Sequence, residues 1–407
     1  MKISSSPGSS AFFKAVFAWV LLGLIGTASL RAQTPLTNSN FNTARNLWFS
    51  DQSAAIATYG HIKDWNVTGV TDMNEAFKDK TTFDENITGW DVSNVTNMNQ
   101  MFYRANAFNQ PVGDWNTSSA TSMQDMFRNA YAFNQPIGGW DVSSVTRMPH
   151  MFATAYAFNQ DLSDWNVSSV TDMTNIFLNA NALSDAHKGL IHSSFSSNSN
   201  WPYSSWSAQV PAPASLTNAN FQTAVNLWCS DKAAAFSTYG HISDWNVTGV
   251  TNMHNAFKGK TTFDENITGW DVSNVTNMES IFHNANAFNQ PIGNWNTSSV
   301  TNMRRMFYAA SSFNHYLGNW NVSSVTNMHD LFYHATAFNH DVSDWNVSAA
   351  ADMGSMFQHN SSLSNIHKGL IHSSFSSNSN WPYDWREFVV IDDSNFQTAV
   401  NLWFSNQ

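Results

Sequence analysis

The sequence predicts an α/β repeat protein: a solenoid with one short strand and one short helix per 25-residue coil, built as two capped five-coil arrays. Two nested periods predict it. Trp65, Trp90, Trp115, Trp140 and Trp165 recur every 25 residues, as do Trp245, Trp270, Trp295, Trp320 and Trp345. A second period of 180 residues lies above the first: TTFDENITGWDVSNVTNM occurs at 81–98 and 261–278, and HKGLIHSSFSSNSNWPY at 187–203 and 367–383. One such repeat is too small to bury its own apolar face, so neighbouring repeats must stack.

Residues 1–33 read as a secretory signal peptide. Lys2 and Lys14 supply the positive start, and the apolar run Ala15–Ile25 is too short for a stable span. The mature chain is therefore expected to be secreted or held at a bacterial-type cell surface, without a membrane span.

The first capped solenoid is expected over 36–206, with its coils at about 60–185. Asn40 is placed to N-cap a head helix through Phe41, Ala44, Leu47 and Trp48, with a stop near Tyr59-Gly60-His61. In the coil from Trp90, Trp90 and Val92 alternate with polar Asp91 and Ser93, the pattern of a half-buried strand. Met98, Met101, Phe102 and Ala105 then fall at i, i+3, i+4 and i+7, the stripe of a short helix that Thr96 would cap. Phe108-Asn109-Gln110-Pro111 ends that turn. Stacked strands about 4.8 Å apart would join these faces into one core. The residue 19 positions after each Trp is Asn or Asp in eight coils, from Asp84 and Asn109 to Asn339, and is expected to form a ladder of coil-to-coil bonds.

Ser184 and Ser364 are placed to cap tail helices through Leu190-Ile191 and Leu370-Ile371. A Pro/Ala linker is expected at 207–215, the second capped solenoid at 216–388 with coils at about 240–365, and the start of a third unit at 391–407, where NFQTAVNLWFSNQ repeats the head sequence.

Composition agrees. Only 12% of residues are charged, and Asn, Ser and Thr carry the polarity. The 18 Trp and 30 Phe exclude a disordered chain. Ten of those Trp occupy one coil position, and every Met but Met1 follows such a Trp by eight or eleven residues, so both are core residues before anything else. Without Lys2, Lys14 and Arg31 of the leader, 15 basic residues face 29 acidic ones, which argues against a nucleic-acid partner. The lone Cys229 excludes an internal disulfide and, standing where the other heads have Phe49 and Phe404, reads as a buried apolar substitute.

The Val112-x-x-Trp115-x-Thr117 and Ile137-x-x-Trp140-x-Val142 segments resemble the LxxLxL core of leucine-rich repeats, with Trp and Val in place of Leu. The VTxMxxMFxxAxxFNQ stretch from Val95 to Gln110 resembles the BspA-type repeat of bacterial surface proteins. The resemblance covers roughly residues 60–185 and 240–365. It implies a leucine-rich-repeat-like solenoid on a secreted or surface protein that serves adhesion and contact with host or matrix. It carries over no catalytic residue. Family members often have a lipid-attachment Cys, and no residue here stands in that place.

No nucleophilic triad, phosphate loop or zinc-spaced motif is present, so no enzyme activity and no cofactor are expected. The neighbouring carboxylates Asp84-Glu85 and Asp264-Glu265 read as solvated. The expected ligand face is the polar ribbon one residue after each Trp: Asp91, Asn116, Asp141 and Asn166, then Asp271, Asn296, Asn321 and Asn346. Carboxylates on that ribbon never fall in adjacent coils, where they would repel. Trp206 and Trp385 lie outside the stacks and are candidates for exposed aromatics. The second array is richer in His. His315 and His340 share one coil position, and His334 and His359 another, a pairing that would allow a metal only speculatively. The sequence is thus read as a monomeric, non-catalytic adhesion or recognition scaffold for an extracellular protein or glycan. A structural spacer, or the non-catalytic part of a longer secreted enzyme, is the alternative.

Overall fold

The computed structural model describes residues 34–389 together with Phe396 and Val400. The expected signal peptide and the rest of the expected third unit lie outside the described residues. The described chain divides into two compact units: residues up to Phe158 with Trp165–Asn181, and Asn159–Asp164 with Ala182 onward.

The first unit opens with two helices, α1 (Phe41–Ser50) and α2 (Gln52–Tyr59). One helix was expected. Asp51 interrupts it at φ −150° and caps α2, its carboxylate accepting the Ala54 N–H at 3.0 Å. Asn40 does not cap α1; its Oδ1 turns back to accept the Thr37 N–H at 2.7 Å. The head ends at Gly60, in the left-handed region at φ 78°.

The coils that follow carry the aromatic 25-residue repeat, but not the expected strand and helix. Each coil is a chain of turns with isolated parallel bridges between neighbours, such as Asp72 to Asn97, Asn97 to Ser122 and Ser122 to Arg147. These bridges sit seven residues after the Trp rather than beside it. The expected helix at Met98–Ala105 is broken twice, because Gln100 (φ 54°) and Arg104 (φ 58°) adopt left-handed backbone. The same two positions do so in every coil, Gly259 included.

The hydrogen bonds explain why turns replace the helix. The N–H groups of Met101, Tyr103 and Ala105 bond back three residues within the coil, to Met98, Gln100 and Phe102. Those of Met98, Gln100, Phe102 and Arg104 bond forward to the next coil, to the carbonyls of Ser122, Gln124, Met126 and Arg128 at 2.8–3.0 Å. A helix would spend every donor on itself. This alternation spends half on the neighbour, so the segment keeps the helical burial stripe and still joins coil to coil.

Side chains form further ladders. Thr96 is not a helix cap. Its hydroxyl donates to Thr71 O at 3.1 Å, as Thr121 does to Thr96 O and Thr171 to Thr146 O at the same distance. The Asn/Asp ladder forms as expected: Asp84 Oδ1 accepts the Asn109 N–H at 2.8 Å, and Asn109 Oδ1 accepts that of Asn134 at 2.9 Å. Trp90 Nε1 donates to Ile62 O at 2.8 Å and Trp140 Nε1 to Val112 O at 3.0 Å, so these indoles bond one coil back while their rings are buried. Inside, Phe77, Phe102, Phe127, Phe152 and Phe177 stack at 5.4–5.8 Å between centroids. A second column, Phe83, Phe108, Phe133 and Phe158, stacks at 5.9–6.2 Å. Each Phe of one column also packs on its coil mate, as Phe102 does on Phe108 at 3.9 Å.

The second unit repeats this construction. It contains α3 (Asp185–Phe195), β1 (Ser215–Thr217), α4 (Phe221–Ser230), α5 (Lys232–Tyr239), β2 (Asn246–Gly249), further coils and α6 (Asn365–Phe375). β1 and β2 pair in parallel. Ser184 and Ser364 cap α3 and α6 as expected, each accepting an N–H, from His187 and His367, at 3.2 Å. Within the segment expected as a linker, Val210 and Ala214 pack on the second unit's core, and the Ala214 N–H donates to Tyr239 O at 2.9 Å. This segment lies inside the second unit, which begins at Ala182 and also takes in Asn159–Asp164. Among the described residues no helix is long and apolar enough to cross a membrane.

Candidate recognition surface

The ribbon one residue after each Trp is exposed at all eight expected positions: Asp91, Asn116, Asp141, Asn166, Asp271, Asn296, Asn321 and Asn346. Each side chain first serves its own coil. Asp91 Oδ1 accepts the Ser93 N–H at 3.0 Å, and Asn116 Oδ1 accepts both the N–H (3.1 Å) and the hydroxyl (2.8 Å) of Ser118. Asn296, Asn321 and Asn346 repeat this Asx turn with Ser298, Ser323 and Ser348. Hydrogen bonds from Ser93, Ser143 and Ser273 hold Asp91, Asp141 and Asp271 below the usual carboxylate range. The turn accounts for Asn or Asp at these places, and the bonds described use Oδ1. The exposed Nδ2 groups of the Asn residues stay available as donors.

A second polar and aromatic surface lies on the turns that follow the buried Met and Phe positions. Thirteen, fourteen and sixteen residues after the Trp, the first unit presents Tyr103, Arg104, Arg128, Tyr131 and Tyr156. Tyr131 and Tyr156 are 41% and 48% exposed and stack at 5.0 Å. Lys78, Arg104 and Arg128 lie 5.2–5.7 Å from the Tyr103 ring centre. In the second unit His283, Tyr308 and Tyr333 form a ladder with centroid steps of 4.5 and 4.7 Å. His334 and His359 continue it, stacked at 4.5 Å, with both rings near Tyr333. Arg305 stands over Tyr308 and pairs with Asp330 at 2.9 Å. Burial pushes the His283 imidazole down, with Lys258 and Arg305 adding to the effect. This face was not anticipated as a ribbon. The available signal was aromatic residues at coil positions outside the buried period.

The other expected pair, His315 and His340, has a local role. Their Nε2 atoms lie 2.8 Å from Asn289 O and 3.1 Å from Asn314 O. Gln110 and Gln290 bond the equivalent carbonyls, Asp84 O and Asp264 O, at 2.9 and 2.8 Å. The imidazole N–H thus stands in for the Gln amide, and Nε2 is already committed. Among the described residues, no group of three or more His, Cys, Asp or Glu is placed to hold a metal ion.

Trp206 and Trp385 are half-buried rather than free platforms, each stacked on a tyrosine, Tyr203 or Tyr383, at 4.6 Å. Tyr383 accepts the Phe357 N–H at 2.8 Å, and burial pushes its phenol up to about 12. An open groove of about 810 Å³ runs beside this cluster, lined by His372, Trp381, Tyr383, Asp384 and Arg386 among others. Two sequence expectations need correction. Cys229 is exposed, because its short side chain does not reach the core contacts made by Phe49, whose ring packs on Phe77 and Phe83. Glu265 is not solvated but accepts from the Trp228 indole at 3.2 Å and pairs with Lys232 at 3.0 Å.

Comparison with known proteins gives one clear match. The family described as "Mycoplasma protein of unknown function, DUF285" matches residues 43–143, 112–201, 227–319 and 291–381. No curated protein matches the chain. Among solved structures, the "Crystal structure of TLR13-ssRNA13 complex" is 11% identical, with a TM-score of 0.21, over 79% of this chain and 51% of that one. This chain therefore spans about half the length of that one, and the likeness is too low to bear on the fold. The family matches cover both arrays and well over half of the sequence, and the chain belongs to the DUF285 family.

Proposed function

We propose that the chain is a secreted or cell-surface, non-catalytic recognition scaffold of BspA-type, leucine-rich-repeat-like coils that binds an extracellular protein or glycan. The observation that carries the reading is the turn face. Its half-exposed Tyr and His side chains stack from coil to coil beside Arg and Lys, and their identities differ between the two units. Stacked rings offer apolar faces, and adjoining cations and amides offer directed bonds, the mixture that recognition surfaces favour. Repetition along the coils adds avidity. The resemblance to BspA-type surface repeats supports the same placement, and the apolar segment at residues 15–25 supports export.

The test is binding of the purified chain to a glycan array and to extracellular-matrix proteins. Saturable binding weakened at least tenfold by Tyr308→Ala with Tyr333→Ala supports the reading. No saturable binding supports the structural spacer instead.

A further inference from the structure

An open pocket of about 210 Å³ lies between the coils of Trp295 and Trp320 in the second unit. Pro291, Gly293, Asn294, His315, Tyr316 and Asn319 line it. The 180-residue period aligns these with Pro111, Gly113, Asp114, Gln135, Pro136 and Gly139 of the first unit. Pro and Gly are kept at the first two places, and the residues at the other four all differ.

The core does not call for these changes. Ile292, Trp295, Leu317 and Trp320 are buried as in any other coil, whereas Asn294, Tyr316 and Asn319 are exposed. Among the ten repeated Trp, Tyr stands four residues before Trp320 alone. Asn stands one residue before Trp295 and Trp320 alone, where the other coils have Asp or Gly. Exposed departures from the repeat thus meet at one pocket.

Their chemistry is complementary to a sugar. Tyr316 is 38% exposed, and a Cβ on Gly318 would fall 2.7 Å from its Cε2, so the ring lies across the space of an absent side chain. The electron-rich face of such a ring attracts the C–H groups of a pyranose. His315 Nε2 donates to Asn289 O at 2.8 Å, which leaves Nδ1 of the neutral imidazole as an acceptor. The exposed amides of Asn294 and Asn319 add N–H donors and carbonyl acceptors. Sugar hydroxyls both donate and accept, and this lining offers both without a formal charge. Burial, with Asp344 and Asp341 adding to it, pushes the Tyr316 phenol up, so an anionic sugar would meet repulsion and no cation.

We propose that this pocket is a subsite for one neutral pyranose ring, with the sugar's apolar face on Tyr316 and its hydroxyls bonded by His315 Nδ1, Asn294 and Asn319. The pocket is smaller than the roughly 300–1,000 Å³ of sites for larger ligands, so it takes a single ring or the end of a chain. The first unit lacks the subsite, because Pro136 and Asp114 supply neither the ring nor the neutral amide. The inference rests on the glycan arm of the recognition reading, but it shares no residue with the turn face.

Ligand-observed NMR titration of the full chain with the methyl glycosides of glucose, galactose, mannose and N-acetylglucosamine tests it. At least one should bind saturably with a Kd of about 1–10 mM, the strength of a small single site. Tyr316→Ala should weaken binding at least about tenfold, and Tyr316→Phe should stay within about twofold of the parent, because the ring face makes the contact. Asn294→Asp with Tyr316→Pro restores the first unit's residues, so it should keep the parent melting temperature and lose the sugar. Tyr308→Ala with Tyr333→Ala should leave the sugar bound as before. The proposal is overturned if none of these sugars saturates up to about 50 mM. It is equally overturned if binding survives Tyr316→Ala, or if the turn-face pair abolishes it. That last result would still support recognition by the turn face, so the two readings fail separately.

Discussion

The inner face and the turn face of the coils obey different rules, although one backbone makes both. Inside, the Trp, Met and Phe positions repeat nearly unchanged, and the ring columns run at 5.4–6.2 Å from coil to coil. On the turn face the equivalent positions change from Tyr103 and Arg128 in the first unit to His283, Tyr308 and Tyr333 in the second. A substitution inside is felt by two neighbouring coils through packing and an indole bond. One on the turn face changes a half-exposed ring contact that already borders solvent. The difference teaches that the repeat fixes its interior and leaves the outer side free to specialise.

The largest expected break of this contrast comes from the core. Phe127→Ala should cost about 3–5 kcal/mol, because Phe127 stacks on Phe102, Phe133 and Phe152 and its removal leaves a cavity between three coils. Chemical denaturation would read it, and a loss under about 1 kcal/mol would show that the columns repack. Asn109→Ala should cost about 1–3 kcal/mol, since the Asn134 N–H loses its acceptor. Thr121→Val should cost about 1 kcal/mol or less, for the hydroxyl bond to Thr96 O. Tyr308→Ala, on the turn face, should stay within about 0.5 kcal/mol.

Acid supplies a further test with a defined sign. Burial pushes His187, His241 and His367 below their ordinary value. The unfolded chain then takes up protons near pH 6.5 while the folded chain does not, so stability should fall as pH drops below about 6.5. A melting temperature flat from pH 7 to the onset of carboxylate titration would contradict this.

The repeat, its 25-residue period, the buried positions and the Asn/Asp ladder were legible because burial and ladder chemistry repeat in register. The backbone path was not. Met98, Met101, Phe102 and Ala105 mark which side faces the core, and a helix or a run of turns presents that same stripe. The left-handed residues decide between them. Asn129, Asn175, Asn255 and Gly259 signal such a backbone, but Gln100, Arg104 and Thr154 adopt it without any such signal. Coil-to-coil bonds hold those residues there, and a single coil does not display them. The polar ribbon after the Trp was placed correctly on the surface, whereas its Asx turns needed the local backbone and the aromatic ladder on the turns needed neighbouring coils side by side.

The most direct test of the division between the two faces is the double variant Tyr308→Ala with Tyr333→Ala, measured for thermal unfolding and for ligand binding on the same sample. The account predicts a melting temperature within about 3 °C of the parent chain and at least tenfold weaker binding. A collapse of the melting temperature with binding unchanged would place the stabilising work on the turn face and contradict the account.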